Sequence, residues 1–243
     1  MGTDPLLLFL LALVALSYAL VGHGGASGYL ALMALWGFPQ DVMRPSALCL
    51  NLFVSGIGVL QFARAGHFRW KLFWPFAITS VPLAWLGAQV VLDALMYKRI
   101  LGVCLLVAVA RMLGLFGKPL GKERPLHLPT ALLVGAVLGF LSGMIGIGGG
   151  ILLSPLFLLA RWGDAKVTAA ISAAFILVNS VSGLAGALGR GETLDPGIWP
   201  FILVAVTGGL VGGWIGARRL PELRLRQVLG VVLLLAGIKL FAS

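Results

Sequence analysis

Two glycine runs carry the first chemical signal in this chain. One reads Gly22-His23-Gly24-Gly25-Ala26-Ser27-Gly28, and the other Gly146-Ile147-Gly148-Gly149-Gly150, followed by Pro155. Glycine permits sharp turns and close backbone approach. A turn that opens a short helix leaves free N–H groups and the positive end of the helix dipole exposed, which suits an anion. Two such turns, one from each half of the chain, make a candidate anion cradle from Gly22, His23, Gly24, Gly25, Ser27, Gly146, Gly148, Gly149 and Gly150. Glycine runs also let membrane helices pack closely, and the runs alone leave both uses open.

Short polar residues recur beside these runs. Ser46, Asn51 and Ser55 mark one apolar segment, and Thr168, Ser172, Asn179 and Ser182 mark another. They offer hydrogen bonds without charge, which suits weak, reversible anion binding; of these, Asn51, Ser172 and Asn179 join the candidate site. The same residue types also join helices to one another. His23 is the one histidine within the cradle, where it would bind an anion when protonated, sense pH, or simply bond to backbone. Arg44, before Pro45, reads as a topology or headgroup residue, with anion attraction as the alternative.

All eight acids fall in or beside connections: Asp4, Asp41, Asp93, Glu123, Asp164, Glu192, Asp195 and Glu222. A carboxylate inside a membrane is costly and kept for function, so the lack of one in mid-segment argues against a metal-cation substrate and against the usual proton relay. Cys49 and Cys104 have no Cys or His at metal-ligand spacing. No nucleophile–base set is present, so neither an enzyme, a metal site nor a cofactor is expected.

The elements that must hold these residues are membrane segments. Of 243 residues, 60% are hydrophobic and 11% charged, and mean hydropathy is +1.04; a soluble surface needs more charge. Apolar segments fall at about 6–21, 26–37, 43–62, 71–92, 98–116, 129–145, 149–162, 166–189, 198–217 and 225–241. Most are long enough to span a bilayer. The segments 26–37 and 149–162 are short and follow the glycine runs, so each belongs to a tight hairpin or a re-entrant element. Asp4 and the lack of a preceding basic residue make 6–21 a first membrane helix rather than a signal peptide.

The net charge of +10 sits between segments, where it sets topology rather than binding nucleic acid. Connections near 63–71, 116–127, 161–166 and 217–226 hold twelve Lys and Arg residues; the opposite connections hold five. The positive-inside rule makes the first face cytoplasmic and leaves both termini outside.

The chain also repeats itself. Trp36-Gly37, Trp74-Pro75-Phe76, Trp85-Leu86-Gly87-Ala88 and Leu101-Gly102-Val103 recur in order as Trp162-Gly163, Trp199-Pro200-Phe201, Trp214-Ile215-Gly216-Ala217 and Leu229-Gly230-Val231. Each half contains a hairpin and three spans, an odd number of crossings, so the second half inserts upside down. The expected fold is therefore all-α: a polytopic membrane protein of about 8–10 segments in two inverted-topology repeats, 1–117 and 129–243, joined by a cytoplasmic linker, 118–128. Inverted repeats place a transported ligand near the midplane, where broken helices meet.

At Gly146-Ile147-Gly148-Gly149-Gly150 with Pro155, and at Ala169-Ala170-Ile171-Ser172-Ala173 opening the next helix, the sequence resembles the TauE/SafE family of sulfite exporters. The first half is a weaker copy, with His23 inside its run and Tyr29-Leu30-Ala31 where a proline-bearing stretch often follows. The resemblance implies export of sulfite, a sulfonate or a related small anion across a bacterial-type cytoplasmic membrane, by alternating access between the repeats. An anion channel, or a permease for another small anion, is the alternative. The partners expected are the anion and the lipid bilayer, with a homodimer left open.

Overall fold

The computed structural model describes residues 4–90 and 123–221, together with Met96 and Arg224. The expected segments 98–116 and 225–241, most of the linker, Cys104 and the Leu101/Leu229 repeat anchors lie outside the described residues. Eight α-helices are described: α1 (Pro5–Ala19), α2 (Ala26–Leu35), α3 (Gln40–Arg64), α4 (Trp70–Ala88), α5 (Leu128–Ile145), α6 (Gly150–Leu159), α7 (Ala165–Gly189) and α8 (Trp199–Arg218). Among the described residues there is no strand.

Local chemistry sets these boundaries. Asp4 caps α1 by accepting from the Leu6 N–H at 2.9 Å, with Pro5 in the first turn. Asp164 caps α7 by accepting from the Val167 N–H at 2.8 Å. Such caps satisfy N–H groups that a helix start leaves without partners. Helix α5 stops at Gly146, whose φ of +82° is left-handed backbone that favours glycine.

The surface is inverted relative to a water-soluble protein. Phe9, Ile78, Leu133, Leu203 and Trp199 point outward, whereas Asn51, Ser55, Ser172 and Asn179 are fully buried. Four described helices or helix runs, Asp41–Arg64, Leu128–Ile145, Ala165–Gly189 and Pro196–Arg218, are long and apolar enough to cross a membrane. The chain is a multi-pass membrane protein.

Helices α2 and α6 have ten residues each. At ~1.5 Å per residue each rises about 15 Å, half of a hydrocarbon core of roughly 30 Å. Each folds back beside the helix before it. The Trp36 indole after α2 donates to Asp4 before α1 at 2.7 Å, and the Arg124 N–H before α5 donates to the Arg161 carbonyl after α6 at 2.8 Å. Each short helix therefore brings the chain back toward the end from which the helix before it started, with a glycine turn between the two.

The basic connections lie together. Arg69 pairs with Glu123 at 2.8 Å, Arg124 meets Arg161, and the Lys166 ammonium donates to the Ala217 carbonyl at 3.4 Å. The less basic connections also lie together, tied by Arg44, Ala88, Val90, Arg190 and Glu192.

Packing follows one pattern under exchange of the halves. Helix α1 lies along α8 as α5 lies along α4; α3 meets α8 as α7 meets α4; α2 meets α3 as α6 meets α7. The closest seams are glycine-lined. Gly135, Gly139 and Gly143 of α5 face Phe76, Ser80 and Ala84 of α4, and Gly208, Gly212 and Gly216 of α8 face Ala12 and Leu16 of α1 and Leu20 just after it. A Cβ at any of these glycines would strike the opposing backbone. Small residues spaced by four let membrane helices approach to backbone contact, where dispersion replaces the missing hydrophobic drive.

Candidate functional site

The two glycine tips meet at the side chain of Asn51. Helix α3 carries this residue, fully buried, to the centre of the bundle. Its Oδ1 accepts from the Ala26 N–H at 3.0 Å and so caps α2. Its Nδ2 faces the Ile147 carbonyl and the Ser180 hydroxyl, each at 3.4 Å. A Cβ on Gly24 would overlap its carbonyl oxygen, and one on Gly148 would sit 2.9 Å from its nitrogen. Glycine at these two positions is what admits the amide between the tips.

His23 crosses from the first tip to the second. Its Nε2 lies 3.1 Å from the Gly150 carbonyl and 3.0 Å from the Ser154 hydroxyl, which lies 2.7 Å from the Ser172 hydroxyl. A carbonyl only accepts, so Nε2 carries a proton. The opposite ring nitrogen, Nδ1, is buried without a partner. In the neutral ring it is an acceptor; in the protonated ring it is a donor.

The start of α6 differs from that of α2. Gly149 precedes it at φ +74°, and no side chain caps it. The Ser142 hydroxyl, fully buried, has no partner and lies 3.3 Å from where a Cβ on Gly149 would sit. Asn179, also fully buried on α7, donates from Nδ2 to the Phe175 carbonyl at 2.8 Å, and its Oδ1 is buried without a partner. One helix start is thus satisfied from within the protein. The other has no side-chain cap, and of its first-turn N–H groups that of Leu152 donates to the Gly149 carbonyl at 3.1 Å.

Of the residues expected from sequence, the fold brings His23, Gly24, Asn51, Gly148, Gly150 and Ser172 into one contiguous network, with Gly149 beside Ser142. Gly25 lies against the Tyr29 ring, whose buried hydroxyl also lacks a partner. Gly22 and Gly146 sit at the edges, the first against the Ala169 backbone and the second against the Arg44 stem. Ser27 turns away and bonds the Tyr18 hydroxyl at 2.8 Å.

Ser142, Ser154 and Ser180 were not singled out as site residues from sequence. Ser154 stands one turn after Gly150, a spacing that brings two residues onto one helix face and marks a hydroxyl beside the helix start. Arg44, expected at a headgroup, is instead drawn inward: its side chain is 13% exposed. It donates to the Gly143 carbonyl at 2.6 Å and the Ala88 carbonyl at 3.2 Å.

A family model described as sulfite exporter TauE/SafE matches residues 7–240. The chain belongs to the TauE/SafE sulfite exporter family. A probable membrane transporter protein, y4hK, of Sinorhizobium fredii is 43% identical over 234 residues, covering 93% of this chain and 94% of that one. Another, MJ0441, of Methanocaldococcus jannaschii is 29% identical, covering 74% of this chain and 70% of its own. YjnA of Bacillus subtilis, also a probable membrane transporter protein, is 28% identical over 96% of both chains. No solved structure matches. Family and relatives together make this TauE/SafE chain a membrane transporter.

Proposed function

We propose that this transporter exports a small sulfur-containing anion, sulfite or an organosulfonate, across the cytoplasmic membrane, and that the anion seats at the start of α6. The observation that carries this reading is an uncapped helix N-terminus beside the buried, partnerless hydroxyl of Ser142. A bound oxyanion would accept from both. His23, held by Gly150 and Ser154, presents Nδ1 as a further contact.

The basic face is cytoplasmic in this reading, with the amino terminus outside, and residues 1–117 and 129–243 are inverted repeats joined by 118–128. A cell interior is negative, and moving one charge across the membrane is worth about 2.3 kcal/mol per 100 mV. A departing anion therefore runs downhill without a coupling carboxylate.

Alternating access needs parts that move against one another. Rocking of one whole half against the other would part both glycine seams, because α1 is joined to α8 and α4 to α5. The seams favour motion of these two cross-half pairs around the central α3 and α7.

Purified protein in liposomes tests the proposal by uptake of radiolabelled sulfite under an imposed potential, with unlabelled sulfonates as competitors. Saturable uptake that follows the potential is the expected result. Flux that rises without saturation would replace the carrier with a channel, and folded protein that moves none of these anions would end the sulfur-anion reading.

A further inference from the structure

A cavity of about 570 Å³ opens among the basic connections, where the two halves of the chain meet. Three pieces of chain wall it: Arg69 to Leu72 at the start of α4, Glu123 to Leu126 on the way into α5, and Trp162 after α6. The Arg69–Glu123 ion pair, at 2.8 Å, ties the first piece to the second. The Arg124 N–H, donating to the Arg161 carbonyl at 2.8 Å, ties the second to the third. The volume falls within the roughly 300–1,000 Å³ of small-ligand sites.

The walls favour negative charge. Three cations, Arg69, Lys71 and Arg124, line the cavity with one acid, Glu123. Glu123 is taken up by Arg69. Among the described residues, the Lys71 and Arg124 side chains have neither an ion pair nor a hydrogen bond. No side chain caps α4, so the positive end of its dipole adds to theirs, although the Leu72 N–H is already taken by the Arg69 carbonyl at 3.0 Å. Trp162 is the buried wall, 8% exposed and packed against the Phe76 and Phe157 rings. Its indole N–H has no acceptor among the described residues and is a further donor.

An apolar stripe starts at the same place. Trp70 lines the cavity yet is 63% exposed, and Trp74 and Ile78, one and two turns further along α4, are exposed on the same face. Tryptophan marks the depth where headgroups give way to hydrocarbon. The cavity is thus a basic pocket at headgroup depth with an apolar track leading from it into the membrane. A free anion would use the pocket and leave the track bare; a phospholipid fits both.

We propose that this cavity binds the headgroup of an anionic phospholipid, with its phosphodiester between Lys71, Arg124 and the start of α4 and an acyl chain along Trp70, Trp74 and Ile78. Basic pockets between membrane helices recognise such headgroups by charge. The lipid touches both halves, and so fastens α4 to the entrance of α5 at the basic end of their seam. The inference stands on the membrane fold and the cavity, and does not depend on which anion is transported.

The full chain in detergent is titrated with dioctanoyl phosphatidylglycerol and with dioctanoyl phosphatidylcholine, which share their acyl chains. Tm is followed, and retained lipid is counted by native mass spectrometry. The expected result is a saturable rise in Tm and retention of phosphatidylglycerol well above phosphatidylcholine. Each basic residue near the membrane surface is worth about fivefold in affinity, so Lys71→Gln with Arg124→Gln is expected to weaken the response about 30-fold. Arg64→Gln with Arg218→Gln removes the same charge outside the cavity and is expected to keep the parent's affinity. Equal weakening in the two pairs would mean diffuse attraction to the leaflet and overturn the site. So would an unchanged response in the cavity pair. Inorganic phosphate or sulfite that displaces phosphatidylglycerol and gives the same saturable rise would make the cavity a mouth for free anions and overturn the lipid. Should the cavity pair fail to fold, the parent alone decides: phosphatidylcholine retained as readily as phosphatidylglycerol ends the proposal.

Discussion

The indole N–H of Trp36 donates to the Asp4 carboxylate across 2.7 Å, tying the end of one short helix to the start of the helix before it. With the Tyr18–Ser27 bond nearer the turn, it closes α1 and α2 into a hairpin. It also holds the Asp4 carboxyl below its ordinary value, with the Trp36 bond the largest cause and the Leu6 N–H next. A depressed carboxylate contributes stability that is present above its unfolded value of 3.8 and lost as pH falls below it. The Tm advantage of the parent over Asp4→Asn is expected to be full at neutral pH and to shrink below about pH 4. An advantage that grows on acidification would contradict the assignment.

Asn51 and Asn179 separate structure from function. Asn51→Ala removes the cap of α2 and the bridge to the second tip, and is expected to cost about 1–3 kcal/mol of stability and to abolish transport. Asn179→Ala removes only a bond within its own helix turn, at a cost of about 1 kcal/mol or less. Thermal unfolding of the two variants side by side gives the order; equal losses would mean that the two amides are used alike.

Ser154 links His23 to Ser172. Ser154→Ala leaves the Gly150 carbonyl to hold His23 while removing the hydroxyl step, and about 1 kcal/mol of stability goes with it. Half-saturation for the anion is expected to rise with little change in the maximal rate. His23→Ala in folded protein is expected to lose transport altogether; retention of full saturable uptake would remove His23 from the site.

The glycine seams tolerate no added side chain. Gly139→Leu and Gly212→Leu each drive a side chain into the facing backbone, and overpacking of this kind costs about 1–3 kcal/mol or more. Gly189→Ala, with open space around it, is the control and is expected to hold or raise Tm. The yield of monodisperse protein and its Tm report the contrast.

Much of this architecture was legible because lipid is a simple solvent. Apolar runs marked nearly every described helix to within a few residues, and the glycine clusters marked both tips, because backbone can break inside a membrane only where protein or a cavity covers it. Arg44 was not legible. An arginine near a helix end looks the same whether it meets a headgroup or folds inward, and the choice depends on Glu192, far along the chain. The division between Asn51 and Asn179 was also hidden, since both are amides within long apolar helices and only the third dimension shows which one caps a neighbour. The repeat pattern gave no warning that the tightest seams join helices from different halves.

Those seams also bear on how the protein comes to be made. Helix α4 meets its partner α5 after one intervening stretch of chain, so that pair can form while the ribosome is still working. Helix α1 waits longer for its seam partner. Its partner α8 is separated from it by most of the polypeptide, and until α8 arrives the Ala12, Leu16 and Leu20 surface must be tended by lipid or by the insertion machinery. A nascent chain halted before α8 would hold one finished seam and one still open, with α1 held only by α2 and α3.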